Sequence, residues 1–166
     1  ENITQSRYPS YLPQFIPPFS LMWINMVHDY YMYREDTAFI QSFKQGMIAV
    51  LSIFESKLYS NGMLHKVPWW NFTDYADDFP LGIPDGADDG ESALISLQYA
   101  YALQHADELF RYLGDAYYAD KYTKDAEAVK DAVLKNCYDS NKQMIAETPE
   151  KKRFSIHTTL FAILTN

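Results

Sequence analysis

Apolar residues recur along this chain at the three-and-four spacing of one helix face, and five stretches carry that period. The first runs from about Phe19 to Arg34, behind Pro17 and Pro18, which suit the opening turn of a helix. The second runs from about Thr37 to Tyr59. Its Phe39, Ile40, Phe43, Met47, Val50, Leu51, Phe54 and Leu58 share one face, Asp36 supplies the N-cap, and Asn61-Gly62 supplies the stop. The third runs from about Ser92 to Leu113 and halts at Gly114. Asp89 or Gly90 is its expected cap, with Glu91 in a first turn that favours an acid. The fourth runs from about Ala116 to Cys137 behind Asp115, with Tyr122, Ala126, Val129, Val133 and Cys137 on one face. A fifth begins near Ser155 and is still apolar at Asn166. Period-two alternation is nearly absent, and only short pieces such as 143–146 suit a strand. The fold class is therefore all-α.

Two helix pairs resemble copies of one another. Shifting the chain by 79 residues brings Asp36 onto Asp115, Tyr33 onto Tyr112, Phe39 onto Tyr118, Phe43 onto Tyr122 and Val50 onto Val129. Each second helix ends in a polar turn followed by a short apolar piece, Met63-Leu64 or Met144-Ile145. The pattern predicts a repeat of antiparallel helix hairpins, with a period too long for the 34-residue or 40–47-residue helical repeats. In a stack of such hairpins, alternate loops fall on the same end. Residues 1–18, 60–91 and 138–154 are then neighbours, and all three are long, whereas 34–37 and 113–116 at the other end are minimal. Long loops gathered on one end of a rigid array predict a binding face there.

Hydrophobic residues at 48% and aromatics at 16% supply a sizeable core. A net charge of −8 argues against nucleic acid or an anionic membrane as partner, since both need a basic face. No run of 18 apolar residues is present, so no membrane span is expected. The single cysteine, Cys137, excludes an internal disulfide and sits in an apolar helical register, as a core residue does. The start at Glu1 and the stop inside a helical pattern suggest a piece of something longer.

The densest candidate chemistry lies in VPWWNFTDYADDF at 67–79. Two tryptophans, an asparagine, a phenylalanine and several carboxylates crowd a run with no regular period. Aromatic faces beside carboxylates and an amide suit a sugar: rings cover its C–H face and polar groups take its hydroxyls. A plug at the end of a helical core is the structural alternative. Asp74, Asp77, Asp78, Asp85, Asp88, Asp89 and Glu91 follow closely, but DGADDGE lacks the alternate spacing of an EF-hand loop, and no pair stands out for glycosidic cleavage. The four histidines have neither i, i+4 pairing nor an HExxH motif, so zinc is not expected. His28 and His105 lie inside helices and read as structural; His157 opens the fifth helix on the long-loop end and is a candidate ligand contact. Asn2 and Asn71 head glycosylation sequons by spacing, and a glycan on Asn71 would block the aromatic loop.

Four segments carry a family resemblance: TQSRYPS at 4–10, IPPFSLMWINMVHDYYMYREDTAF at 16–39, VPWWNFTDYADDF at 67–79 and KRFSIHTTLFAIL at 152–164. With ALISLQYAYALQHADELFRYLGD at 93–115, they resemble the catalytic domain of bacterial α-L-rhamnosidases, glycoside hydrolase family 78. The resemblance implies a six-hairpin (α/α)6 barrel with the sugar bound at one end, of which residues 1–166 form about two and a half hairpins of a single domain. Six hairpins at this spacing need about 470 residues. It implies an inverting hydrolase of α-L-rhamnosides, secreted or periplasmic, that needs no cofactor or metal. It also implies that the general acid and base glutamates lie outside this chain, because the motif that carries the acid is missing here. The substrate-binding residues it points to are Trp69, Trp70, Asn71, Asp74, His157 and Arg7, with Trp70 the tryptophan expected to face the sugar. The cut barrel faces, with Met22, Trp23, Ile24, Leu160, Phe161 and Leu164, are expected to favour self-association. A non-enzymatic helical scaffold or glycan-binding module, and a related (α/α)6 glycosidase of other specificity, stay open as alternatives.

Overall fold

A computed structural model describes residues 2–166. Its five α-helices are α1 (Pro17–Tyr33), α2 (Thr37–Glu55), α3 (Ala93–Tyr112), α4 (Ala116–Cys137) and α5 (Ile156–Leu164). A single 3-10 turn spans Pro80–Gly82, and two-residue strands β1 (Tyr138–Asp139) and β2 (Met144–Ile145) pair antiparallel. The molecule is a partial six-hairpin barrel.

The hairpin repeat has matching local causes. The Asp36 side chain accepts from the Phe39 amide and the Asp115 side chain from the Tyr118 amide, so both second helices start on the same aspartate cap. Beyond each second helix the chain reverses in a small antiparallel pairing, Leu58 with Leu64 after α2 and β1 with β2 after α4. Gly62 has φ +86°, and a Cβ there would lie 2.8 Å from that of Ala132, so the turn needs both the left-handed conformation and the missing side chain.

Boundaries differ from expectation in two places. α2 ends at Glu55 rather than near Tyr59, because Leu58 is taken up by the pairing with Leu64. α3 is capped by Ser92, whose hydroxyl accepts from the Ile95 amide, and not by Asp89 or Gly90; Glu91 falls outside the first turn.

α3 is the centre of the fold. It packs against α1, α5, α2 and α4, which leaves α1, α3 and α5 as one layer with α2 and α4 behind. Leu94, Leu103, Leu109 and Phe110 on α3 are fully buried, and Ala100, Ala106, Ala119 and Ala126 give close approach between α3 and its neighbours. A second cluster joins Met63, Leu97, Val133 and Cys137 beneath Phe161. Burial pushes the Cys137 thiol up to about 12, so it is inert core.

α2 is long and apolar enough on average to cross a membrane, although Gln41, Lys44 and Gln45 interrupt its apolar residues. Its Ile40, Met47, Val50, Leu51 and Phe54 are buried in the protein core, the packing of an amphipathic core helix. On α1 and α5, Met22, Leu160 and Leu164 are about half exposed, whereas Ile24 is fully buried.

Candidate functional site

The layer of α1, α3 and α5 sets all three N-termini at one end, and the long loops meet there. Phe15 packs on Trp69 with ring centroids 5.6 Å apart, and Arg153 pairs with Asp85 at 3.1 Å. The decisive contact is between His157 in the first turn of α5 and Asp74 in the aromatic loop. Nε2 of His157 lies 3.0 Å from Oδ2 of Asp74, across 83 residues of sequence. The His157 hydrogen bond is the main force holding the Asp74 carboxyl below its ordinary range, so Asp74 is a committed acceptor on an exposed rim. The ring of Phe79 lies 5.2 Å from that of His157 and forms an apolar wall.

The aromatic loop carries strained backbone. Trp69 has φ +77° and Leu81 φ +55°, a region bulky residues avoid. Gly82, at φ +76°, sits so close to Phe72 that a Cβ would lie 2.3 Å from its ring. Trp69 is 42% exposed above Phe15, and Trp70 is half-buried, its Nε1 donating to the Leu81 carbonyl at 3.1 Å. Asn71 is fully buried. Its Nδ2 donates to Val67 O, Ala87 O and Asp88 Oδ1 at 2.8, 3.2 and 2.9 Å, which pins the aromatic loop to the acidic one. A glycan on Asn71 has no room in this fold. Arg7 lies exposed on the N-terminal segment, and no side-chain bond joins it to Asp74 or His157. The structure thus brings Asp74, His157 and the two tryptophans to one end, sets Asn71 beneath them, and leaves Arg7 apart.

Sequence reasoning missed Glu147. This carboxylate is 2% exposed, yet its Oε1 accepts hydroxyl hydrogen bonds from Ser155, the N-cap of α5, and from Thr158 at 2.5 Å. Its backbone N–H donates to Arg153 O and its carbonyl accepts from Ala93 N, so it ties the starts of α3 and α5 together. Burial raises its pKa, against the pull of the two hydroxyls. The one available signal was the break of an apolar run, Met144-Ile145-Ala146, by an acid just ahead of a serine cap. Among the described residues no three His, Cys, Asp or Glu side chains converge as a metal site. What the end offers is a rim acceptor, an imidazole, exposed and half-buried indole rings, and a buried acid whose pKa burial raises: groups suited to a polyhydroxyl ligand.

The family model for the bacterial alpha-L-rhamnosidase 6 hairpin glycosidase domain matches residues 5–164. The chain belongs to that family. The fold agrees with two solved rhamnosidases. A GH78 rhamnosidase of Bacillus sp. GL1 superposes with a TM-score of 0.84 at 19% identity, covering 99% of this chain and 17% of that one. A rhamnosidase from Klebsiella oxytoca, solved with rhamnose bound, superposes with a TM-score of 0.80 at 16% identity, covering 99% and 31%. The chain thus spans less than a third of either rhamnosidase. No curated protein matches it in sequence. As a six-hairpin rhamnosidase domain piece, it carries the hairpins on which Asp74 and His157 meet.

Proposed function

We propose that this chain builds one side of the sugar site of an inverting α-L-rhamnosidase, and that the whole protein removes terminal α-L-rhamnose from glycans or glycosides. The observation that carries this reading is the Asp74–His157 pair at the start of α5, flanked by Phe79, with Asp74 exposed on the loop that also carries the tryptophan pair. In this reading Asp74 accepts sugar hydroxyls, His157 holds Asp74 in place, and Trp70 or Trp69 covers a sugar face. Asn71 contributes indirectly by fixing the loop. The general acid and base belong to other parts of the domain, set far enough apart to admit the attacking water that inversion needs. Export to the periplasm or beyond the cell is part of the same reading, because glycans with terminal rhamnose are met there.

The test uses the protein that contains this chain in full. It is expected to hydrolyse an aryl α-L-rhamnoside and to release the β-anomer first, as followed by proton NMR. Asp74→Asn and His157→Gln are expected to raise KM more than they lower kcat. First release of the α-anomer would sink inversion. Turnover of another aryl glycoside but not the rhamnoside would reassign the specificity.

A further inference from the structure

Glu147 meets α5 at the turn that carries His157. Its Oε1 accepts the hydroxyls of Ser155 and Thr158, the residues that bracket Ile156 and His157 in the sequence. A hydroxyl has one hydrogen to give. Ser155 gives its hydrogen to Glu147, and its oxygen accepts from the Thr158 amide at 3.0 Å, which caps the helix. Thr158, fully buried, gives its hydrogen to the same carboxylate oxygen. The backbone of Glu147 is tied as well. Its carbonyl accepts from the N–H of Ala93, the first residue of α3, and its own N–H donates to Arg153 O. The first turn of α5 is thereby set against the start of α3. The second carboxylate oxygen, Oε2, is buried without a partner. An unpaired buried oxygen destabilises, so packing alone does not account for an acid at this position. From this turn His157 reaches the aromatic loop, where its Nε2 lies 3.0 Å from Asp74 Oδ2. On the far side, buried Asn71 anchors the Asp74 loop through Ala87 O and Asp88 Oδ1.

We propose that Glu147 is a positioning residue for the sugar site: by gripping the hydroxyls on both sides of His157, it holds the imidazole where it can orient Asp74 toward a sugar hydroxyl. The inference rests on the sugar reading above and adds the residue through which the start of α5 serves it. Glu147 itself touches no sugar. Its effect passes through the His157–Asp74 bond, which weakens steeply once the turn beneath His157 shifts and the bond loses its alignment.

The test is a double-mutant cycle in the protein that contains this chain in full. KM and kcat on an aryl α-L-rhamnoside and the melting temperature are measured for each variant. Glu147→Leu removes the acceptor and keeps the bulk. It is expected to raise KM about fivefold to tenfold, as far as His157→Gln does, with kcat moved less. The double variant is expected to show the KM of His157→Gln alone, because a residue that acts only through His157 then has nothing to act on. Glu147→Gln keeps an oxygen acceptor for both hydroxyls and is expected to hold KM within about twofold of the wild type. Thr158→Val removes one of the two gripped hydroxyls at constant shape. It is expected to give a smaller rise in KM that also vanishes in the His157→Gln background.

If Glu147→Leu raises KM as much in the His157→Gln background as in the wild type, the positioning role is overturned and the Asp74–His157 reading stands. A folded Glu147→Leu variant with unchanged KM has the same consequence, as does a Glu147→Gln variant as impaired as Glu147→Leu. If neither Glu147→Leu nor Thr158→Val folds, Glu147 is a stability residue and the role falls. A His157→Gln variant with wild-type KM, or a wild-type protein that leaves the rhamnoside intact, overturns the sugar reading and this inference together.

Discussion

The two ends of the helical layer are built on different terms. At the short-loop end, α1 passes to α2 and α3 to α4 through three-residue turns, each closed by an aspartate whose side chain caps the next helix. Gly114 supplies the left-handed residue for one of them, and Thr37 and Tyr112 hydroxyls bond at 2.6 Å across the hairpins. At the long-loop end, two bulky residues hold positive φ, a carboxylate is buried, and that carboxylate leaves one oxygen unpartnered. One end closes its turns with the least chain possible. The other keeps strain and unmet polar groups, the pattern of sites that stay ready for a ligand.

The sharpest way to break this contrast is by activity. The 166-residue chain alone is expected to show no measurable turnover of an aryl α-L-rhamnoside, while the longer protein turns it over, because loss of a general acid or base costs orders of magnitude. Robust turnover by this chain would place the acid and base among its own carboxylates, with Glu147 and Asp74 the first to be tested.

Stability should divide the other way. Phe110 is fully buried, with the rings of Tyr118 and Tyr122 at 5.5 and 5.3 Å and the Lys44 ammonium 5.8 Å from its centroid. Phe110→Ala is expected to cost about 3–5 kcal/mol in urea unfolding. Trp69→Ala, at an exposed ring on strained backbone, is expected to cost much less while weakening sugar binding. If Trp69→Ala proves as destabilising as Phe110→Ala, the aromatic loop is a core plug. The exposed Met22, Leu160 and Leu164 give a related expectation: weak self-association at high concentration by sedimentation, relieved by Leu160→Lys with Leu164→Lys. A clean monomer of the unmutated chain would remove those faces as association surfaces.

Much of this contrast was legible in the sequence. Asp36 and Asp115 stand at helix starts with an apolar period behind them, and those caps are local, so sequence reasoning reached them. The gathering of three long loops at one end followed from hairpin order alone. Other features depend on contacts between distant segments. The end of α2 is set by Leu58 meeting Leu64 across a glycine pressed on Ala132 of α4, and nothing near Tyr59 announces it. Asn71 read as an amide for sugar hydroxyls because its neighbours are aromatic and acidic, yet Val67, Ala87 and Asp88 close around it in the folded loop. His28 and His105 were legible as structural, but not as parallel rings with centroids 3.9 Å apart.

That stacked pair gives the helical layer a pH response opposite to that of Glu147 at the loop end. Burial, then the neighbouring charge of His28, holds His105 down at about 4 against an ordinary 6.5, while Glu108 and Asp29 pull it up. The unfolded chain takes its proton near 6.5 and the folded chain refuses it until about 4. Stability is therefore complete above pH 6.5 and is lost as pH falls toward 4, by at most about 3 kcal/mol before solvent reduces it. Glu147 works in reverse. Its folded pKa is raised above the ordinary 4.5, so its contribution is complete below that value and is lost as pH rises through the folded pKa. Melting curves from pH 4 to 8 are expected to lose their acid limb in His105→Gln and to rise at neutral pH in Glu147→Gln. An unchanged acid limb in His105→Gln would move the acid response away from the stacked pair.

The smallest expected effect is also the cleanest comparison of the two ends, since it exchanges one aspartate for another. Asp36 accepts from the Phe39 amide at 3.0 Å and does nothing else at the short-loop end beyond a long contact from Tyr30. Asp36→Ala is expected to lower stability by about 1 kcal/mol, as the loss of an N-cap does, and to leave sugar affinity unchanged. Asp74 is exposed, caps no helix, and is held by His157. Asp74→Asn keeps the shape of the side chain and removes its charge, so stability should scarcely move while sugar affinity falls several-fold. The two variants thus predict a crossed result, stability lost at one aspartate and binding lost at the other. If Asp74→Asn instead lowers the melting temperature as far as Asp36→Ala and leaves sugar affinity intact, the Asp74–His157 pair is a clasp on α5, and the long-loop end is built for closure like the short one.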